Sequence, residues 1–340
     1  MRVLVTGATG FVGAWTARAI VDAGHEVRYL VRSPARLETS AACIGLDPGD
    51  IWLGDITDRE SVVRALDGCD SVVHAAAVVA TDPSRADEVL TTNVAGAENV
   101  LGGAAMLGLD PIVHVSSFTA LFHPGLELLH AGLPVVGGTD AYGRSKAQVD
   151  VYARGMQDGG APVVITYPGM VLGPPAGDQF GEAADGVEAA LTMRVLPGRS
   201  AAWLVVDVRD LAAIHAAVLE PGCGPRRFMA GGRRLPVDAI AGILRDVAGV
   251  TVVPVPVPDG ALRVVGKATD LLGSVVPFET PVSRSPMSEA AMQYYTQMPP
   301  SDDSATEAEL GVRYRLPHET FEATVAGLRS VGRLRRVRRR

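Results

Sequence analysis

Apolar positions along the first half of the chain follow two alternating rhythms. Short β-branched runs predict strands over 2–6, 25–31, 49–53, 70–75, 111–116 and 162–167. Longer stretches with helical spacing lie between them and predict helices over 11–23, 59–67, 86–107 and 141–158. The runs from Ser71 to Ala77 and from Ile112 to Val115 are apolar at nearly every position, as expected of strands covered on both faces. Such alternation implies a parallel sheet wrapped by helices, a doubly wound α/β fold.

Beyond Pro174 and Pro175 the rhythm loosens. A strand near 202–206 leads into Asp207, which reads as the N-cap of a helix over 208–220 with Asp210 in its first turn. Short strands near 226–230 and 251–255 and helices near 236–248, 260–272 and 317–329 follow, punctuated by Pro254, Pro256, Pro258, Pro277 and Pro281. The pattern divides the chain into a first unit over 1–173, to which 202–220 returns, and a smaller mixed α/β lobe from 174–201 and 221–330. A basic tail occupies 331–340.

Composition narrows the picture only a little. With 340 residues, 47% hydrophobic and 20% charged, the chain has the make-up of an ordinary globular enzyme. Met1 runs straight into Val3-Leu4-Val5 without a basic leader, so no secretory signal is expected and the cytoplasm is the expected location. The longest charge-free stretch, 159–177, is broken by four prolines, which argues against a membrane span. Cys43, Cys69 and Cys223 have neither disulfide nor zinc spacing, and no metal cluster is expected. A formal charge of −7 conceals six arginines between Arg333 and Arg340. They read as a solvated, frayed end on an acidic body rather than as a nucleic-acid or lipid site.

The first predicted strand runs directly into Gly7-Ala8-Thr9-Gly10-Phe11-Val12-Gly13 and then into a helix. Glycines in that setting permit a tight turn, close approach of backbone to a pyrophosphate, and close packing of helix on strand, while the helix N-terminus offers free N–H groups to the anion. Farther on, Tyr142 and Lys146 stand at i and i+4 on one helix face. A free phenol titrates near pH 10, and an adjacent ammonium favours the phenolate and brings it into range for acid–base work.

With these two motifs the chain resembles the extended branch of the short-chain dehydrogenases/reductases, the epimerase/dehydratase type, over about 1–215. The resemblance implies a Rossmann-type fold, a nicotinamide cofactor, and cofactor contacts from Gly7, Thr9, Gly10, Phe11, Val12 and Gly13. It matches Asp55, with Ile56 beside it, to the acid that meets the adenine amino group, and Asp58 suits a helix cap. Ala75, Ala76 and Ala77 match the small-residue segment along the adenosine ribose and pyrophosphate. Pro168 and Val171 fall in the segment beside the nicotinamide, where Tyr167 replaces the arginine of many relatives. The resemblance also assigns Ser117 to the substrate oxygen, Tyr142 to general acid/base work, and Lys146 to the phenol and the nicotinamide ribose, with Tyr142 and Lys146 both touching the cofactor. Asn93 matches an asparagine that is structural in this branch.

The second strand ends without a carboxylate, and Val31 stands where an NAD-preferring relative carries Asp. Arg32 with Ser33, and Arg36 nearby, can grip a 2′-phosphate, so NADP is expected over NAD, with NAD possible. The expected reaction is hydride exchange between nicotinamide and the carbonyl or secondary alcohol of a mostly apolar small molecule, as in dihydroflavonol-reductase, aldehyde-reductase and hydroxysteroid-dehydrogenase relatives. A nucleotide-sugar epimerase or dehydratase holding NAD is the alternative, and a non-catalytic NADP sensor a weaker one. The family habit of pairing through 86–107 and 141–158 implies a homodimer. Trp203 reads as core, Tyr294 and Tyr295 as candidate walls of an aromatic site, and His123 and His130 as loop residues.

Overall fold

Seven of the strands join one parallel sheet: β1 (Arg2–Thr6), β2 (Glu26–Val31), β3 (Asp50–Leu53), β4 (Ser71–His74), β5 (Ile112–Val115), β6 (Val163–Pro168) and β10 (Arg226–Ala230). The computed structural model describes residues 1–79, 86–138, 140–273 and 288–334. Strand order is β10-β6-β5-β4-β1-β2-β3, so the winding reverses between β1 and β4 and opens a crevice at the strands' carboxyl ends. The register pairs Val3 with Val27 on one side and with Ser71 on the other.

Alternate residues of each strand feed two cores, which is why the strands are apolar at every position. Leu4, Val72, Ile112 and Ile165 pack under α3 (Arg59–Leu66), α4 (Ala86–Met106) and α5 (Ala141–Asp158). Val3, Val5, Val73 and Val113 pack under α1 (Phe11–Asp22) and α2 (Pro34–Cys43). Packed against α1 lies α7 (Val208–Ala217). Its buried His215 lies 2.8 Å from the Thr16 hydroxyl on α1 and 3.1 Å from that of Thr166 on β6. As the sequence pattern implies, Asp207 caps α7 by accepting the Arg209 N–H at 2.9 Å.

The second lobe has its own core. Here β9 (Ala202–Asp207) lies between β7 (Met170–Leu172), parallel to it, and β11 (Arg233–Pro236), antiparallel. Around them stand α6 (Ala183–Met193), α8 (Val237–Ala248) and α12 (Pro317–Ser330), and Trp203 stacks on Phe321 with centroids 6.2 Å apart. A parallel pair, β8 (Val195–Pro197) and β12 (Val253–Val255), joins the helices α9 (Asp259–Gly273) and α10 (Glu289–Gln297) to this lobe's edge. Another short helix, α11 (Ser304–Leu310), precedes α12.

Two strands sit elsewhere than their sequence rhythm suggests. Residues 226–230, expected in the second lobe, form the edge strand β10 beside β6, because Phe228 and Met229 point into the two opposite cores of the main sheet. Residues 202–207 instead centre the small sheet, where Trp203 and Val205 meet the lobe core and Leu204 the main one. Helix α2 escaped the hydrophobic pattern because it is only weakly apolar, although Ser33 as cap and Pro34 at its first position are start signals. Arg333 is not frayed: it donates to Asp185 at 2.6 Å and to Glu188 on α6. The remaining tail arginines, Arg335 to Arg340, lie outside the described residues.

Candidate active site

The strand ends open into a single cavity of about 1170 Å³ that runs from the Gly7 turn to α10. One half follows the carboxyl ends of β1 to β4. Gly7 adopts φ +79°, and a Cβ there would come within 2.6 Å of the Ala76 nitrogen. At Gly13 a Cβ would meet the Gly7 carbonyl at 2.2 Å, so only glycine lets α1 start this close to β1. Gly10 caps α1 without any side chain, which leaves the first-turn N–H groups to the cavity. Thr9, Gly10, Phe11, Val12 and Gly13 all line it, as do Ile56, Ala75, Ala76 and Ala77. Backbone donors in a cradle closed to larger side chains suit a pyrophosphate.

Arg32 and Arg36 line the outer end of this half. Arg32 is 71% exposed and stands 3.7 Å from one oxygen of Asp55. The other Asp55 oxygen accepts both the N–H and the hydroxyl of Thr57 at 2.9 Å, so the residue forms an Asx turn and faces the cavity at once. Asp58 caps α3 through Glu60. Ser33 departs from expectation: it is not among the lining residues, and its hydroxyl accepts the Arg36 N–H as the cap of α2.

Beneath the crevice lies a polar layer of Thr6, His74 and His114, on strands whose pattern is otherwise apolar. The Thr6 hydroxyl lies 2.9 Å from His74 Nδ1 and accepts the Ala76 N–H at 3.3 Å, tying β1 to the segment after β4. His74 stacks on His114 with centroids 6.0 Å apart. Burial, aided by the Lys146 charge, pushes His74 down to about 3 and His114 well below the ordinary imidazole value, so both are neutral.

At the cavity's centre the structure brings Ser117, Tyr142 and Lys146 together. Ser117 follows β5 and caps a single 3-10 turn over Phe118–Ala120. Asp140 caps α5 by accepting the Gly143 N–H at 2.8 Å, which fixes the turn carrying Tyr142. Lys146 is buried, donates to the Val115 carbonyl at 2.7 Å, and holds its ammonium 5.8 Å from the Tyr142 ring centroid. Burial lowers Lys146 to about 8, with Asp150 working upward. Tyr142 moves up, not down. Burial and the Glu182 charge hold the phenol above its usual value, Asp140 adds to this, and only the Ser117 hydroxyl works the other way. Glu182 lines the same cavity, and burial together with Asp185 and Asp140 raises it to about 7. No spacing in the sequence marks Glu182, which stands at the N-cap of α6.

Neighbouring residues brace this centre. Asn93 accepts the Val78 N–H at 2.7 Å and donates to the Val78 carbonyl and the Ser145 hydroxyl, a structural tie as the resemblance implies. Ser116 donates to the buried Asp150 at 2.9 Å. Tyr167 turns away from the cavity: fully buried, it donates to Asp150 and accepts from Arg154 at 2.8 Å, while Pro168 and Val171 do line the site. His123 and His130 are not among the lining residues. The far half is walled by α6, α9 and α10, with Trp203, Met292, Tyr294 and Tyr295 on its surface.

Residues 3–231 match the NAD dependent epimerase/dehydratase family, and the chain belongs to it. It is an NAD(P)-dependent enzyme of the extended short-chain dehydrogenase/reductase type. Sterol demethylase protein B of Methylococcus capsulatus is 32% identical over 260 residues, covering 73% of this chain and 75% of the relative. Cinnamoyl-CoA reductase 1 of Oryza sativa subsp. japonica is 29% identical over 262 residues, covering 72% and 75%. A double mutant of the dTDP-glucose 4,6-dehydratase of Streptomyces venezuelae, solved with NAD bound, superposes with a TM-score of 0.71 at 25% identity over 97% of each chain. No described helix is long and apolar enough to cross a membrane.

Proposed function

We propose that this chain is an NADP(H)-dependent oxidoreductase acting on the carbonyl or secondary alcohol of a mostly apolar small molecule. The observation that carries the reading is the meeting of Ser117, Tyr142 and Lys146 at the junction of a glycine-lined half and an apolar half of one cavity. When bound, the cofactor supplies or accepts a hydride at the substrate carbon. Gly7, Thr9, Gly10, Phe11, Val12 and Gly13 would hold its pyrophosphate, Asp55, Ile56 and Ala75 to Ala77 its adenosine, and Lys146, Pro168 and Val171 its nicotinamide end. Arg32 and Arg36, beside a strand that ends in Val31 rather than an acid, support the phosphorylated cofactor.

Tyr142 then handles the proton. In reduction its phenol donates to the carbonyl oxygen, which Ser117 polarises by a hydrogen bond; in oxidation the phenolate takes the proton back. The raised phenol supports the donor role near neutrality, and Lys146 stabilises the phenolate left behind.

The charges along the far half favour an uncharged substrate over a nucleotide sugar. Among the described lining residues, Asp140, Asp270, Glu182 raised to about 7, and Glu289 paired with Lys267 at 3.1 Å stand against Arg144 and Lys146, so the wall offers no surplus of cations to a pyrophosphate. Exposed apolar side chains on the outer helices, Met106 on α4 and Val151 on α5, support a homodimer through these helices.

Following coenzyme absorbance with NADPH and NADH against ketones, aldehydes, steroids and nucleotide sugars tests the proposal. Turnover of apolar carbonyls with NADPH is expected. Tightly retained NAD in the purified protein, with turnover of a nucleotide sugar alone, overturns it in favour of an epimerase or dehydratase.

A further inference from the structure

Tyr294, on α10 of the second lobe, reaches across to the elements that hold the reacting groups. Its phenol donates to one oxygen of Asp140 at 2.7 Å, while the other Asp140 oxygen accepts the Gly143 N–H that starts α5. Its ring meets Phe118 and Phe122 edge-on, with centroids 5.6 and 4.9 Å apart, on the turn that follows Ser117. The phenol fits only because residue 138 is glycine: a Cβ there would lie 2.0 Å from its oxygen. Tyr142 rides on the first turn of α5 and Ser117 caps the turn before Phe122, so one side chain touches the supports of both. The neighbouring Met292 and Tyr295 of α10 line the far half of the cavity, and Tyr295 packs on the core of the second lobe.

We propose that Tyr294 is a positioning residue, which holds Asp140 and the Ser117 turn in one arrangement and makes the alignment of Ser117 with Tyr142 depend on how α10 is seated. The proposal rests on the reading of those two residues as the groups that handle the substrate oxygen. The physical reason lies in the cap. The first turn of a helix has no intrahelical acceptors for its N–H groups and opens readily. A capping carboxylate held by one hydrogen bond can swing, whereas a second, charge-assisted bond from a packed phenol locks it. The locking group comes from the wall against which an apolar substrate lies, so occupancy of that wall and order at Tyr142 are linked.

Tyr294→Phe keeps the ring contacts and removes only the hydroxyl, so it separates the lock from the packing. In the full chain without added ligand, amide exchange at Gly143 to Lys146 is expected to quicken about tenfold, with the thermal midpoint lowered by no more than about 2 °C. With a substrate found by the coenzyme assay, kcat is expected to fall about tenfold while KM and coenzyme affinity stay within about twofold. Adding Tyr294→Phe to Asp140→Ala should then lower kcat no further, since the lock acts through that carboxylate. Wild-type exchange and kcat overturn the proposal, as does a double variant whose losses multiply. A parallel loss of thermal midpoint, KM and kcat also overturns it, because that pattern belongs to general loosening. The exchange measurement needs no turnover, so it decides the matter even if the oxidoreductase reading fails.

Discussion

The two halves of the cavity are built in different ways. The cofactor half comes from consecutive strand ends within the first 77 residues, on one parallel sheet, and its shape depends on backbone that only glycine permits at positions 7 and 13. The substrate half is assembled from α6, α9, α10 and β9, drawn from more than a hundred residues of chain, and its surface is mostly alanine, methionine, leucine and aromatic rings. A phosphate needs donors at fixed points, whereas an apolar molecule needs only a wall of the right volume. The first half is therefore constrained residue by residue, and the second only in aggregate.

Substitutions should separate the halves by the size and kind of their effects. The largest is expected at their junction: Tyr142→Phe should lower kcat/KM by roughly 10²–10⁴-fold while coenzyme affinity, measured by nucleotide fluorescence, is retained. Within the cofactor half, Arg32→Asp should weaken NADPH binding by roughly 10–100-fold and leave NADH nearly unaffected, the loss expected for a charge-assisted hydrogen bond. Equal losses for the two coenzymes would remove Arg32 from the phosphate and return the discrimination to Arg36.

Acid should strike the cofactor half first, because the neutral histidines lie beneath it. The folded-state value of His74 falls from 6.5 to about 3, so below 6.5 the unfolded chain takes up a proton that the folded chain refuses. Stability contributed by keeping this ring neutral is present above pH 6.5 and is lost, by about 1.4 kcal/mol for each unit, as pH falls toward 3. Urea midpoints measured between pH 7 and 5 should fall accordingly, and His74→Asn should flatten the slope. In the substrate half Met193→Ala should alter KM across a substrate panel by at most about tenfold, with coenzyme affinity unchanged, because a few methylenes in an apolar wall discriminate weakly.

How far the sequence could be read follows the same division. Gly7, Gly10 and Gly13 announced their turn because they stand at a strand-to-helix junction, and Tyr142 and Lys146 because helical spacing places them together. Every cofactor residue expected from those motifs lines the cavity except Ser33, whose hydroxyl is taken by the start of α2. Tyr167 was legible as a departure from the relatives' arginine, but its turn toward Asp150 and Arg154 was not, since which face of β6 it occupies depends on register. The downward pull expected of Lys146 on Tyr142 omitted burial and Glu182, and neither is visible before the loop at 182 is seen to fold over the site. In the second lobe the helices over 236–248, 260–272 and 317–329 followed from apolar spacing, but α6, α10 and α11 did not.

The edge strand β10 also bears on how such proteins can be recombined. The chain leaves the main sheet after residue 168, builds part of the second lobe, returns at Arg226 to complete the sheet, and leaves again. The lobe is thus two grafts on one scaffold, not an appended cassette. A chimera joined at a single point after β9 would pass a foreign strand to β6, whereas exchanging 174–201 together with 233–330 would trade the substrate wall apart from Ala202 and Trp203 on β9 and leave the coenzyme machinery whole.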